Sequence, residues 1–334
     1  MAQHEIDTPK STSKITAKHV RVFSIVTFIV MFVVSLFMGV LDVTPSLLMK
    51  MDGAAWHAFV YSRIPRVMAV VITGISLSVA GLIMQKIAQN RFVSPSTAVT
   101  MDAARLGIII SLIVFAGMGF VGRSVFALVF AVIGTLVFMK LVNRITFKNI
   151  VFVPLMGMMM GMVVDSITTY LAMRFDLMQT LAGYMLGSFT FVMQGNYELL
   201  YLSIPLLVLA YVYISRFSIV AMGSDFARNV GVNYERTLLL GILMVSLLSA
   251  SVVVTIGSVP FVGLMIPNIV TKVYGDGNQS VLIDTALLGG NLLLICDLIS
   301  RVVIYPYEVP IGLILGVVGS IFFLVVLLRS RHEA

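Results

Sequence analysis

The sequence predicts an all-α polytopic membrane protein of about ten transmembrane helices, with both termini in the cytoplasm. Three observations predict it. Residues 237–271 form a run of 35 positions without one charged side chain. Of the 334 residues, 59% are hydrophobic and only 11% charged, where a soluble chain carries about 25% charged residues. The basic residues also fall unevenly between alternate loops, as membrane insertion demands.

The first uncharged run, 22–41, follows a basic stretch (Lys10, Lys14, Lys18, Arg21) and no small-residue cleavage site follows it. It reads as a first span rather than a removed signal. Residues 1–20 are then a cytoplasmic tail, 21–328 the transmembrane domain and 329–334 a second tail. Further uncharged runs lie at 67–85, 106–122, 124–139, 149–164 and 199–215. The third helix is expected to begin near Ala98 and to carry Asp102 and Arg105, which sit three apart on one face and neutralise each other. In the fifth, Gly157 and Gly161 permit close helix approach among flexible methionines. A methionine-lined vestibule for a bulky solute is the sharper reading of that segment. The connection 172–198 is outside and amphipathic enough for a short helix lying on the bundle.

The 35-residue run exceeds a single crossing, since about 20 residues span the hydrocarbon core. It is also interrupted by Gly257, Pro260, Gly263 and Pro267. A proline removes a backbone donor, and in lipid such broken backbone survives only inside protein or beside a water-lined cavity. A full helix over about 238–256, a tight reversal and a short second crossing follow. A segment at 280–299 carrying Asp284 and Asp297, then an uncharged run at 309–328, complete ten spans. Asp297 and Arg301 are four apart and able to pair. With the N-terminus inside, fifteen basic residues fall in inner loops and tails and six in outer loops, a positive-inside bias.

The inner connection 216–236 is the longest on its side. Gly223 and Gly231 punctuate it; Ser224 and Asp225 are expected to cap one short helix and Asn233 a second, making a compact knob rather than a plain loop. Chemistry on the chain itself finds no support. The four histidines (His4, His19, His57, His332) lie in tails or near the outer surface, Cys296 is the only cysteine, and no HExxH pair exists. No metal centre or cofactor is expected. No glycine-rich loop ends in Gly-Lys-Ser or Gly-Lys-Thr, so ATP hydrolysis belongs to another chain and this one is not an enzyme. Asp165, Asp284 and Asp297 are scattered singly in the spans. Intramembrane charges are functional hypotheses by default, and proton relay through them, in a secondary transporter, is the alternative reading.

Several segments resemble one family, the permease subunits of ATP-driven importers for iron–siderophore chelates, haem and cobalamin. SRIPRVMAVVITGISLSVAGLIMQ (62–85), GSVPFVGLMIPN (257–268), ARNVGV (227–232) and EVPIGLILGVVGSIFF (308–323) match its signatures in order. The resemblance spans about residues 55–328. Two departures, QNRFVSPSTAVTMDAARLG (89–107) and Asn268 in place of the usual histidine, look like the subgroup importing catecholate-type siderophores such as petrobactin or anguibactin. YMLGSFTFVMQGNYELLY (184–201) and CDLISRVVIYPYE (296–308) are similar to that subgroup too.

The resemblance implies a subunit in the bacterial cell membrane that pairs with itself or a similar permease. Two cytoplasmic ATPase subunits would dock below it and an extracytoplasmic siderophore-binding protein above. It implies that Arg63, Arg66 and Arg301, exposed on the outer rim, meet carboxylates of the binding protein. Gly223, Asp225, Ala227, Arg228, Gly231 and Val232 would form the ATPase coupling segment. Asn90, Arg91 and Phe92 would form a cytoplasmic gate, with residues 146–149 as a second gate element. Gly257, Pro260, Gly263 and Pro267 would form a structural motif. Within the family, haem or cobalamin are the alternative cargoes.

Overall fold

The computed structural model describes residues 12–39, 44–50, 52–115, 117, 119–144, 152–275 and 279–330. Fourteen α-helices occur among them. In chain order they are α1 (Thr12–Phe37), α2 (Pro45–Met49), α3 (Gly53–Ala58), α4 (Ile64–Ile87), α5 (Thr100–Val114), α6 (Phe120–Arg144) and α7 (Phe152–Arg174). There follow α8 (Met178–Met185), α9 (Ser203–Val220), α10 (Ser224–Asn229), α11 (Tyr234–Thr255), α12 (Val262–Tyr274), α13 (Gln279–Val302) and α14 (Ile311–Ser330). A π-helical turn, Phe59–Arg63, joins α3 to α4, and a 3-10 turn, Glu198–Leu202, leads into α9. No strand occurs among the described residues, only an isolated bridge between Ile304 and Tyr307.

Seven helical stretches among the described residues are long and apolar enough to cross a membrane. α5 (15 residues), α12 (13 residues) and α14 (20 residues) stand where the third, eighth and tenth crossings are expected. At 1.5 Å per residue, the 13 residues of α12 rise only about 20 Å. So short an element is tolerated because protein surrounds it: Val262 through Pro267 are all buried.

The helix α4 forms the axis of the bundle. Nearly every residue from Pro65 to Ile87 is buried, including Thr73, Ser76 and Ser78, as expected of a helix apolar on all sides. α9, α11, α12 and α13 pack around it. α1, by contrast, exposes Phe23, Val26, Ile29 and Val30, an apolar surface suited to lipid. It begins at Thr12, and its apolar stretch runs from His19 to Phe37. Its basic first turns are good helix formers, and Arg21 binds a partner on α13.

The interrupted run folds as its letters suggest, into α11, a reversal and α12. Gly257 turns the chain with φ +95. Pro267 lacks the N–H that would bond the carbonyl of Gly263. That carbonyl lies instead against Gly81 of α4, where an added Cβ would overlap it. The two glycines thus bring α4 and α12 into backbone contact, and the proline explains why the carbonyl is available there. α5, the expected third span, starts at Thr100, with Val99 in a left-handed conformation before it, close to the expected Ala98.

Candidate functional site

The first turn of α4, the last turn of α13 and Glu308 hold the densest charge cluster in the described structure. Arg66, in the first turn of α4, donates from Nη2 to Asp297 Oδ1 at 2.9 Å and from Nη1 to both oxygens of Glu308 at 2.7 and 2.9 Å. Arg301 donates to the other oxygen of Asp297. It also reaches the carbonyls of Ser35 and Met38 at 3.0 and 2.7 Å. Arg63 donates to the Met38 carbonyl at 2.6 Å. Glu308 accepts from Thr190 Oγ1 at 2.8 Å, which ties the segment around Thr190 to the same cluster. Burial works against the charge on Glu308, but Arg66 and Thr190 outweigh it and hold this carboxyl below its ordinary value.

This geometry corrects the expectation of three exposed rim arginines. Arg63 and Arg66 are 8% exposed, Arg301 4% and Asp297 0%. Charges so placed persist only when paired and hydrogen-bonded. Asp297 stands between two guanidinium groups, and the C-terminal carbonyls of α1 present partial negative charge to Arg63 and Arg301. The i,i+4 pair of Asp297 and Arg301 was legible in the sequence. The partnership of Arg66 with residues more than 230 positions away had no signal there.

The other intramembrane aspartates are not solitary either. Asp102 bonds Arg105, as the three-residue spacing predicts, and Asp165 of α7 lies 3.2 Å from the same guanidinium. Asp102 fits there because Gly161 of α7 leaves room for its carboxylate. Asp284 takes a two-pronged hydrogen bond from Arg21 of α1, at 2.7 and 2.6 Å. Each aspartate proposed for proton relay is thus paired with arginine, the arrangement of a structural ion pair.

On the opposite end, α10 forms a one-helix knob between α9 and α11. Gly223 (φ +106), not Ser224 or Asp225, occupies its N-cap, and Ser224 Oγ bonds Asp225 instead. Asn233 caps the long α11 through Arg236 N at 3.0 Å, so no second short helix forms. The reason is that α11 begins immediately after Asn233 and absorbs the segment. Gly231 has φ +80, a conformation that side chains resist. Ala227 is buried, while Asp225, Arg228 and Gly231 face outward or partly so, and Val232 N bonds Ala227 O at 2.8 Å.

Asn90, Arg91 and Phe92 lie in the loop leaving α4. Asn90 Oδ1 accepts from Phe92 N at 2.9 Å, and Arg91 O accepts from Asn268 Nδ2 at 2.9 Å. Phe92 meets Phe323 of α14 edge-on at 6.0 Å. Asn268, the departure noted above, therefore pins this loop to α12. A cavity of about 300 Å³ lies beside it, bordered by Gln85, Asn90, Ser218 and Thr271. Residues 146–149 lie outside the described residues. Among the described residues, no three His, Cys, Asp or Glu side chains converge where a metal ion could be held.

A bundle of apolar helices with internal ion pairs, a knob at one end and paired charges at the other is the architecture of a membrane transport permease. Residues 23–329 match the FecCD transport family, and the chain belongs to that family. It is 45% identical to the petrobactin import system permease protein YclN of Bacillus subtilis (strain 168), over 92% of this chain and 97% of that one. It is 39% identical to the ferric-anguibactin transport system permease protein FatD of Vibrio anguillarum, over 92% and 98%. A petrobactin import permease of Bacillus anthracis is 36% identical over 93% and 91%. Among solved structures, an inward-facing metal-chelate type ABC transporter matches with TM-score 0.78 at 20% identity, over 93% of this chain and 99% of that one. At that identity the likeness concerns the fold alone.

Proposed function

We propose that this chain is the membrane subunit of an ATP-driven importer that moves a ferric siderophore of catecholate type into the cytoplasm. The observation that carries the reading is the 45% identity over 92% of the chain to a petrobactin import permease. In this reading ten helices cross the bacterial cell membrane and both termini are cytoplasmic, in keeping with the basic-residue bias. The chain pairs with a second permease subunit, two cytoplasmic ATPase subunits dock on the inner face and a siderophore-binding protein on the outer face.

The parts then have separate tasks. The knob formed by Gly223, Asp225, Ala227, Arg228, Gly231 and Val232 receives the motion of the ATPase pair. The loop of Asn90, Arg91 and Phe92, tied to both α12 and α14, opens and closes the inner mouth. The cluster of Arg63, Arg66 and Arg301 against Asp297 and Glu308 keeps one net positive charge, three cations less two carboxylates. It offers the binding protein a rigid, weakly cationic dock. No covalent step occurs on this chain; its work is conformational.

The test is uptake of iron-labelled petrobactin by vesicles holding the full assembly. Uptake should require ATP and the binding protein, persist with an uncoupler and favour catecholate over hydroxamate chelates. Uptake that survives loss of the ATPase and collapses with the uncoupler would assign the chain to proton-coupled transport instead.

A further inference from the structure

The helix α4 ends in a turn that usually takes glycine. Asn90 N donates to Gln85 O at 3.0 Å and Gln89 N to Lys86 O at 3.3 Å, the paired bonds that close a helix through one left-handed residue. That residue is Gln89, with φ +51. Glycine enters such a turn at no steric cost, whereas any other side chain sets its Cβ against the backbone. Here the side chain reaches a distant partner. Gln89 Nε2 donates to Val220 O, at the end of α9 and 131 positions away, at 3.2 Å.

Val220 O has a second donor. Gly223 N, the N-cap of α10, reaches the same oxygen at 3.0 Å, as the two lone pairs of a carbonyl allow. One oxygen of a buried residue thus joins α10 to the residue that starts the loop leaving α4. The connection continues beyond Gln89. Asn90 Oδ1 holds Phe92 N, Arg91 O accepts from Asn268 of α12, and Phe92 meets Phe323 of α14. Gln89 also borders the cavity of about 300 Å³, together with Ser218, Ala221 and Met222 around the end of α9. A void gives its lining atoms no partners, so the Gln89 bond bears more of the connection at this junction.

We propose that Gln89 is a positioning residue that ties the loop of Asn90, Arg91 and Phe92 to the α10 knob, so that a displacement of α10 moves this loop through Val220 O. The turn by itself asks nothing of a side chain, since glycine closes it with less strain. What the glutamine adds is the reach of its amide donor to α9. This role deepens the importer reading and rests on it for the tasks of the two ends, while the link between them is tested independently.

Gln89→Gly separates the link from the turn. Glycine suits φ +51, so the variant should fold and assemble, and basal ATP hydrolysis in the full assembly should match wild type. Ferric petrobactin imported per ATP hydrolysed should fall about two- to tenfold, the equilibrium factor of one net hydrogen bond. Gln89→Glu keeps the length but sets an acceptor against the carbonyl, and its ratio should fall at least as far. A wild-type ratio in both variants would overturn the proposal. So would a loss of basal hydrolysis in step with transport, the mark of a general defect in assembly. Spin labels at Arg91→Cys and Phe226→Cys read the link apart from transport, because the only native cysteine, Cys296, is 2% exposed. The distance distribution between them should widen when Gln89→Gly is added. An unchanged distribution would overturn the link whatever the assembly transports. A wild-type assembly that imports no chelate would refute the importer reading instead, with the spin-label distances still deciding the link.

Discussion

Replacing Asp297 by alanine is the sharpest perturbation of the arginine–carboxylate cluster. The carboxylate is 0% exposed and stands between Arg66, at 2.9 Å, and Arg301. Removing one partner of a buried ion pair costs about 3–5 kcal/mol, because the remaining charge keeps its desolvation penalty. Here two guanidinium groups lose a partner, yet Arg66 keeps Glu308 and Arg301 keeps the carbonyls of Ser35 and Met38. The loss should therefore stay near about 3–5 kcal/mol rather than double. Asp297→Asn retains shape and one acceptor and should lose about 1.5–3 kcal/mol, the value of a hydrogen bond to a charged group. Arg66→Glu would set a third carboxylate beside Asp297 and Glu308 and should prevent folding outright. Unfolding of the purified protein in mixed detergent micelles, with membrane expression in parallel, measures all three. An Asp297→Ala protein within about 0.5 kcal/mol of wild type, the range of ordinary surface changes, would refute the reasoning. The arginines would then owe little to the fold and could serve docking alone.

Gly231→Val should strain the left-handed turn after α10, at a cost of about 1–3 kcal/mol, and uncouple ATP hydrolysis from transport while the bundle still inserts. Normal uptake in that variant, with no crosslink from Arg228→Cys to the ATPase, would place the coupling surface elsewhere. Gly81→Ala should force α4 from the Gly263 carbonyl and cost about 1–3 kcal/mol as an overpacked contact; thermal unfolding in detergent reads it. Glu308, its carboxyl held below the ordinary 4.5, contributes stability that is present above that value and is lost as pH falls through its lower folded pKa. Thermal stability should thus be insensitive to this group at neutral pH and decline in acid, and Glu308→Gln should remove that part of the decline. Changing Asp165 or Asp284 to asparagine should leave uptake ATP-dependent and without a new pH profile. A variant that abolishes uptake yet leaves ATP hydrolysis intact would revive proton relay.

What the sequence by itself determined was the one-dimensional part of the protein. Uncharged length marked the spans, and Gly257, Pro260 and Pro267 marked the reversal between α11 and α12, because backbone chemistry acts locally. Local spacing likewise disclosed Asp102 with Arg105 and Asp297 with Arg301. The tertiary structure decided whatever joins distant segments. It buried Arg66 by bringing Asp297 and Glu308 to it, gave Asp165 and Asp284 their arginines, and set Gly81 against the carbonyl that Pro267 leaves unbonded. A charge near a predicted span end reads as exposed because sequence gives its depth only to within a turn or two. Whether it is paired depends on which helices pack side by side, and in a bundle that neighbour relation is set by side-chain fit across the whole chain.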